Sequence, residues 1–367
     1  MADDLTKKMS RRQFSALLWA VMVSPIIRQI PATVAPVAGR GAWLSALFAA
    51  VPAAALGLFA GHFLRSRRPG EGFGELFCRA LGPAGGRIVT ALYFLWLVFF
   101  GGFVLRAGAD RFVSAIYTGS PEWLFMAVMG LLCLVAGEGR LKTLGRFAQI
   151  IAPLLSAVFA LVFLFCLKNV KPDNLWPLYA GDLPRAFRGV LPLMGTLAVG
   201  VYPGFLAAEV EPGRLGRTFS LSQLSLALLG ALLCFTSLGT FGAELTDKMN
   251  YPFFVMIRSI RIFNLLERVE ALVAAQWVAA DFLLLGTLLQ ITGGAFALVL
   301  HGPGGKKTRL GVRLCAAGMG LAAWQCAPSA FALRTLSRGV ILWGNALLVF
   351  GLLPVCYAVG RLRKTIN

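Results

Sequence analysis

Long apolar runs alternate with short polar connections along almost the whole chain. Each run is about 20 residues, the length a helix needs to cross the hydrocarbon core of a bilayer. The runs are continuous rather than alternately apolar and polar, which excludes a transmembrane barrel. Ten spans are expected, at 14–36, 42–62, 88–108, 122–138, 146–168, 188–209, 219–243, 268–290, 311–332 and 339–360. The pattern is that of an all-α polytopic membrane protein.

Two of these runs differ from the rest. The first reads WAVMVSPIIRQIPATVAP, with Pro25, Pro31 and Pro36. The sixth reads VLPLMGTLAVGVYPGFLAAEV, with Pro192, Gly195, Gly200, Pro203 and Gly204. A proline inside a helix removes a backbone hydrogen bond and crowds the preceding turn. In lipid, a break survives only where protein or a wet cavity satisfies the freed groups. Two broken helices five spans apart suggest an inverted repeat with a binding site at the midplane between its halves. Two ordinary proline kinks would leave the same pattern. On the repeat reading, residues 1–13 are an N-terminal tail and 14–168 the first five-helix repeat. Residues 169–187 are then an external connection, 188–360 the second repeat and 361–367 a C-terminal tail.

Two polar connections carry structure of their own. In RSRRPGEGFGELFCRALGPAGGR, Phe73, Leu76, Phe77, Ala80 and Leu81 follow a 3–4 spacing. A short amphipathic helix on the membrane surface is expected there. The stretch from Glu244 to Ile262 is half apolar but too charged to span, and is expected to cover the external mouth.

Composition supports the membrane reading. Hydrophobic residues make up 58% of the 367 and charged residues 14%, against about 25% charged in soluble proteins. The net charge of +19 would suit nucleic acid, but Lys and Arg fall in short clusters between apolar runs, with no soluble basic domain. The N-terminal tail, alternate connections and C-terminal tail hold 21 basic residues, the other connections 13, and Arg28 lies within a span. That excess places both termini in the cytoplasm. The basic N-terminal patch precedes a long first run and reads as the flank of a span rather than a cleaved signal. Seven cysteines form no CxxC pair, and only two histidines are present. No catalytic group, metal site or cofactor is expected.

The candidate chemistry is sparse. Asp281 is the one carboxylate deep in an apolar run and Arg28 the one deep cation. A charge at bilayer depth costs about 3 kcal/mol on insertion scales, so each needs a partner or a wet cavity. Gln276, Asp281, Thr287 and Gln290 are placed to line one polar stripe of the eighth span. Asp281 reads either as an ion or gating site or as a buried pair that fixes packing. Arg28 meets a ligand carboxylate, pairs with Asp281, or snorkels outward. Glu209 reads as a solvated helix end. Glu267, Arg268 and Glu270 crowd the entry of the eighth span, where the two carboxylates favour the positive end of the helix dipole.

Tyr251-Pro252, Arg258, the run Glu267-Arg268-Val269-Glu270 and Trp277 resemble the signature of the B subunits of spore germination nutrient receptors, the GerAB-like family. SRRQF at Ser10–Phe14 and PGEGFGELFCRALGPAGGR ahead of the third span are similar to that family too, so the resemblance runs over nearly the whole chain. It implies the amino acid–polyamine–organocation superfamily and a leucine-transporter-type 5+5 inverted repeat with broken first and sixth helices. It also implies a small nutrient ligand, often an amino acid, partner A-type and lipoprotein C-type subunits, and the inner membrane of a spore. A free-standing amino acid or cation transporter of the same superfamily is the alternative. By resemblance, ligand contacts fall on Ser24, Pro25, Ile26 and Arg28 in the first span and on Gly200, Tyr202 and Gly204 in the sixth, with Gln276 and Asp281 in the eighth. The family's first span usually carries a glycine at its break, and this chain has none there. It has Arg28 instead, which favours an acidic or carboxylate-rich ligand.

Overall fold

The computed structural model describes residues 8–115, 119–259 and 267–366, with side chains for 8–114, 119–258 and 273–366. Helix dominates throughout. Seven stretches are long and apolar enough to cross a membrane by length and composition alone. The first of them, Arg11–Arg65, is two helices, and two further apolar helices have 17 residues each. Together these make ten spanning elements, in the order the hydrophobic runs predict.

Helix α1 (Arg11–Ala38) opens with a capping box. Ser10 Oγ accepts the Gln13 N–H at 3.3 Å, and Gln13 Oε1 accepts the Ser10 N–H at 3.0 Å, which satisfies two free donors at the helix start. The helix then continues through Pro25, Pro31 and Pro36. The break expected in the first span is therefore not formed. Each proline removes one donor, leaving the carbonyl four residues earlier without its usual bond. For Pro36 that carbonyl is Ala32, and the Arg338 guanidinium from the last span donates to it. Almost every residue from Leu17 to Ala35 is buried, so neighbouring helices enclose α1.

A 3-10 turn at Gly39–Gly41 leads into α2 (Ala42–Arg65). Gly57 and Gly61 on α2 face the backbone of α7 (Leu215–Phe241): a Cβ at Gly57 would lie 2.6 Å from the Ser220 nitrogen, and one at Gly61 would overlap Gly216. This is the small-residue contact through which helices approach closely in a membrane.

Helix α3 (Phe73–Ala115) bends at Gly82, whose φ of 84° is open to glycine alone without strain. The stub before the bend is the amphipathic helix expected from the sequence. Its apolar face packs into the bundle: Phe73 and Phe77 join Phe63, Tyr93 and Phe205. Beyond the bend α3 runs seven residues past the expected end of the third span. Helices α4 (Glu122–Glu138) and α5 (Leu141–Cys166) complete the first half.

Helix α6 (Asp182–Leu197) passes into 12 residues of 3-10 helix, Ala198–Glu209. The sixth span thus changes character where its Gly and Pro residues cluster. Space explains the glycines: a Cβ at Gly200 would sit 2.7 Å from Gln223 Nε2, and one at Gly204 would overlap the Phe73 ring. Gln223 Nε2 itself donates to the Leu197 carbonyl at 3.0 Å, which caps the transition.

After α7 come the short α8 (Ala243–Lys248) and α9 (Pro252–Ser259), then α10 (Glu267–His301), which outruns the expected eighth span because apolar residues continue to Leu300. Helix α11 (Arg309–Gln325) and the last span α12 (Ala330–Leu362), with π-helical turns at Ser337–Ile341 and Leu347–Leu352, close the chain. Ahead of α1, Met9 forms a parallel bridge with Val210: Met9 N–H donates to Glu209 O at 2.9 Å and Glu211 N–H to Met9 O at 3.0 Å.

Candidate functional site

Three helices meet at one carboxylate. Asp281 on α10 is 2% exposed. The Ser24 hydroxyl of α1 donates to its Oδ1, and Arg111 Nη2 of α3 donates to its Oδ2. The Arg111 guanidinium also lies 3.3–3.4 Å from Ser24 Oγ and 4.8 Å above the Trp277 ring. Gly108, one turn before Arg111, makes room: a Cβ there would stand 3.1 Å from Asp281 Oδ2. Both acceptor oxygens are therefore used, and both charges are buried together, the arrangement in which a buried ion pair is tolerated.

Arg28 was one expected partner of Asp281, and the structure gives that place to Arg111. Ser24 and Arg28 are four residues apart on one face of α1, so with Ser24 at Asp281, Arg28 lies a turn further along. It neither pairs with Asp281 nor snorkels out. It is 6% exposed, sits 4.9 Å over the Phe103 ring, and has no hydrogen-bond partner for any guanidinium nitrogen among the described residues. Its surroundings are a narrow cleft of about 40 Å³ between α1, α3 and α12. Gln29, Thr33, Asp110, Tyr251, Arg334 and Arg338 line it too. Gln29 Oε1 accepts from the Thr196 hydroxyl at 3.2 Å, while its Nε2 is unpartnered among the described residues. The Tyr251 hydroxyl donates to Asp110 Oδ2 at 2.6 Å. At the mouth, Arg334 and Arg338 both hold Asp247, at 3.2 and 2.9 Å.

The other expected site residues divide. Pro25 and Ile26 lie buried within the helical α1. Tyr251 reaches the cleft, Pro252 begins α9 beside it, and Trp277 underlies Arg111. Gly200, Tyr202 and Gly204 do not line the cleft. The Tyr202 hydroxyl donates to Asn345 Oδ1 at 2.7 Å, which also accepts from Trp96 Nε1 at 2.9 Å. Gln276 turns towards α5, donating to the Leu154 carbonyl at 3.3 Å. The side chains of Glu267, Arg268 and Glu270 lie outside the described residues. Asp110, Arg111, Arg334 and Arg338 were not expected at the site. The first two follow the assumed end of the third span, yet Phe103, Ala107 and Asp110 keep helical spacing on one face, the signal that α3 continues.

A second polar junction lies further along α10, at Gln290. Lys307 Nζ donates to the Gly137 carbonyl at 3.0 Å and to Gln290 Oε1, while Gln290 Nε2 donates to the carbonyls of Ala136 at 2.7 Å and Gly139 at 3.0 Å. Burial pushes the Lys307 ammonium below its usual range, opposed by the nearby Glu209 carboxylate. These groups border a cavity of about 250 Å³ with Glu75 and Thr90. Thr287, expected on the same stripe, instead bonds its own helix at Leu283 O, 2.7 Å away.

The sequence profile of the spore permeases, described as "Spore germination protein", matches residues 8–297. The putative spore germination protein YfkT of Bacillus subtilis (strain 168) is 27% identical over 226 residues, 59% of this chain and 58% of that protein. The match therefore spans somewhat over half the length of that relative. Spore germination protein KB of the same strain is 21% identical over 70% of this chain and 69% of its own length. Among solved structures, the nucleobase-cation-symport-1 family transporter Mhp1, closed with bromovinylhydantoin bound, gives a TM-score of 0.65 at 14% identity over 96% of this chain and 78% of its own. A substrate-bound, outward-open sodium-coupled sialic acid symporter gives 0.66 at 12% identity over 97% of this chain and 79% of its own. At such identities the likeness is one of fold, the leucine-transporter-type bundle. Its family and its structural neighbours are membrane permeases and transporters, not enzymes, and with the profile running over most of its length the chain belongs to the spore germination protein family.

Proposed function

We propose that this chain is the integral-membrane subunit of a spore germinant receptor, binding a small nutrient of the amino-acid class and triggering germination. The observation that carries the reading is the Arg28 cleft: a buried, unpartnered guanidinium between α1, α3 and α12 in a member of a spore germination family. Ligand enters from the mouth flanked by Arg334 and Arg338. The adjoining Ser24–Asp281–Arg111 joint ties together the three helices that must shift against one another, and serves as the gate. A ligand moves such an equilibrium only by its differential affinity for the two arrangements, and Arg28 is the group placed to supply that difference.

The rest of the reading follows the family. The two halves, 14–168 and 188–360, form the inverted repeat. The chain sits in the inner membrane of the spore with both termini cytoplasmic, and acts with A-type and lipoprotein C-type subunits. The test is germination of spores lacking this gene against a panel of amino acids, sugars and nucleosides. Loss of response to one nutrient, restored by the intact gene, supports the receptor, and a normal response to every nutrient counts against it.

A second reading, secondary transport of an amino acid or cation, is favoured by the fold shared with two symporters. Uptake of labelled amino acids into liposomes carrying the purified chain decides between them.

A further inference from the structure

We infer that the Arg28 cleft selects a small organic acid carrying one net negative charge, an acidic amino acid rather than a neutral one. The inference rests on the cleft being the nutrient site and adds the charge class of its ligand.

Four buried or half-buried ionic groups line the cleft: Arg28, Arg334, Arg338 and Asp110. Three more are tied to the cleft: Arg111, Asp281 and Asp247. Arg111 is matched by Asp281, and that pair is neutral. Arg334 and Arg338 share the single carboxylate of Asp247. Asp110 is held by the Tyr251 hydroxyl. Among the described residues of this constellation, four arginines face three carboxylates, which leaves one positive charge. The geometry shows where it is unmet: all three Arg28 guanidinium nitrogens are buried without a hydrogen-bond partner among the described residues. A ring face, Phe103 at 4.9 Å, is a weak substitute for an acceptor.

A guanidinium presents a planar fork that fits a carboxylate with two parallel bonds. The cleft, about 40 Å³, has room for a carboxylate head rather than a whole amino acid. The remainder of the ligand therefore points towards the mouth, where the Arg334 and Arg338 Nε atoms are also unpartnered among the described residues. A zwitterion brings no net charge and leaves the excess cation buried. A ligand of charge −1 neutralises it. Gln29 Nε2, another orphaned donor on the cleft wall, supplies a neutral bond to the same carboxylate or to a group beside it.

The experiment is titration of the full chain, purified into lipid nanodiscs, with glutamate, glutamine and alanine, followed by calorimetry. Glutamate and glutamine have nearly the same shape and differ in charge. Glutamate is expected to bind at least about tenfold tighter than glutamine or alanine, since a hydrogen bond to a charged group outweighs a neutral one by about that factor. Arg28→Gln is expected to erase the preference and Arg28→Lys to keep part of it, with thermal unfolding confirming that both variants fold. Equal binding of glutamate and glutamine overturns the inference, as does an Arg28→Gln variant that keeps the preference, or an absence of glutamate binding. The receptor reading fails separately. Spores lacking the gene that lose response only to a neutral nutrient uphold the receptor and sink the charge class. Glutamate binding by the purified chain beside normal germination of those spores does the reverse.

Discussion

Asp281 has exchanged water for two donors, Ser24 and Arg111, and its stability now depends on both. Removing one member of a buried ion pair leaves the other charge uncompensated, typically at about 3–5 kcal/mol. Asp281→Ala is therefore expected to lower the unfolding temperature of the detergent-solubilised chain sharply. The double variant with Arg111→Met should recover much of the loss, and a strictly additive double variant would refute the pairing. Arg28 behaves in the opposite sense. It has no hydrogen bond to lose among the described residues, so Arg28→Met should unfold at the same temperature as the parent or higher, while nutrient response falls. The chain's own residues announced half of this arrangement. A lone carboxylate in an apolar run marks Asp281, and a lone cation marks Arg28. The groups around them were hidden because Arg111 and Asp110 look like connection charges just past a span. A pairing across 170 positions leaves no periodic trace.

At the scale of elements, the first and sixth spans show what proline and glycine do and do not reveal. The sixth changes to 3-10 helix where Gly200, Pro203 and Gly204 cluster. The first carries three prolines and stays helical. Sequence marks where a donor is missing; whether a neighbour replaces it depends on distant side chains, here Arg338 at the Ala32 carbonyl. Arg338→Ala should then loosen the end of α1 near Pro36, seen as faster hydrogen exchange over residues 33–38, with an unchanged rate arguing against that anchor. The α2–α7 contact is stricter. Gly61 faces Gly216 backbone to backbone, so Gly61→Val must push the helices apart. Overpacking of this kind costs about 1–3 kcal/mol, and the variant should show a lower unfolding temperature than Gly294→Ala, where a Cβ meets open space.

For the whole molecule, the ten-span bundle was legible because apolar length is a direct demand of the bilayer. The cleft was not, because it is assembled from α1, α3, α12 and the connection carrying Tyr251, which are far apart in the chain. Helix α10 is fastened at two points along its length, by Asp281 to α1 and α3 and by Gln290 with Lys307 to α4. Lys307→Met weakens the second fastening only, since Gln290 keeps its bonds to the Ala136 and Gly139 carbonyls. Hydrogen exchange should rise in residues 302–308 and at the end of α4, and the Asp281 joint should keep its protection. A global loss of protection would contradict two separate fastenings. The Met9–Val210 bridge has a different reach. It stitches Met9, ahead of the capping Ser10 of the first span, to the residue just after the sixth, the corresponding helix of the other half. Those two helices are yoked at one end like oars on a common bar, so a swing of one would pull on the other.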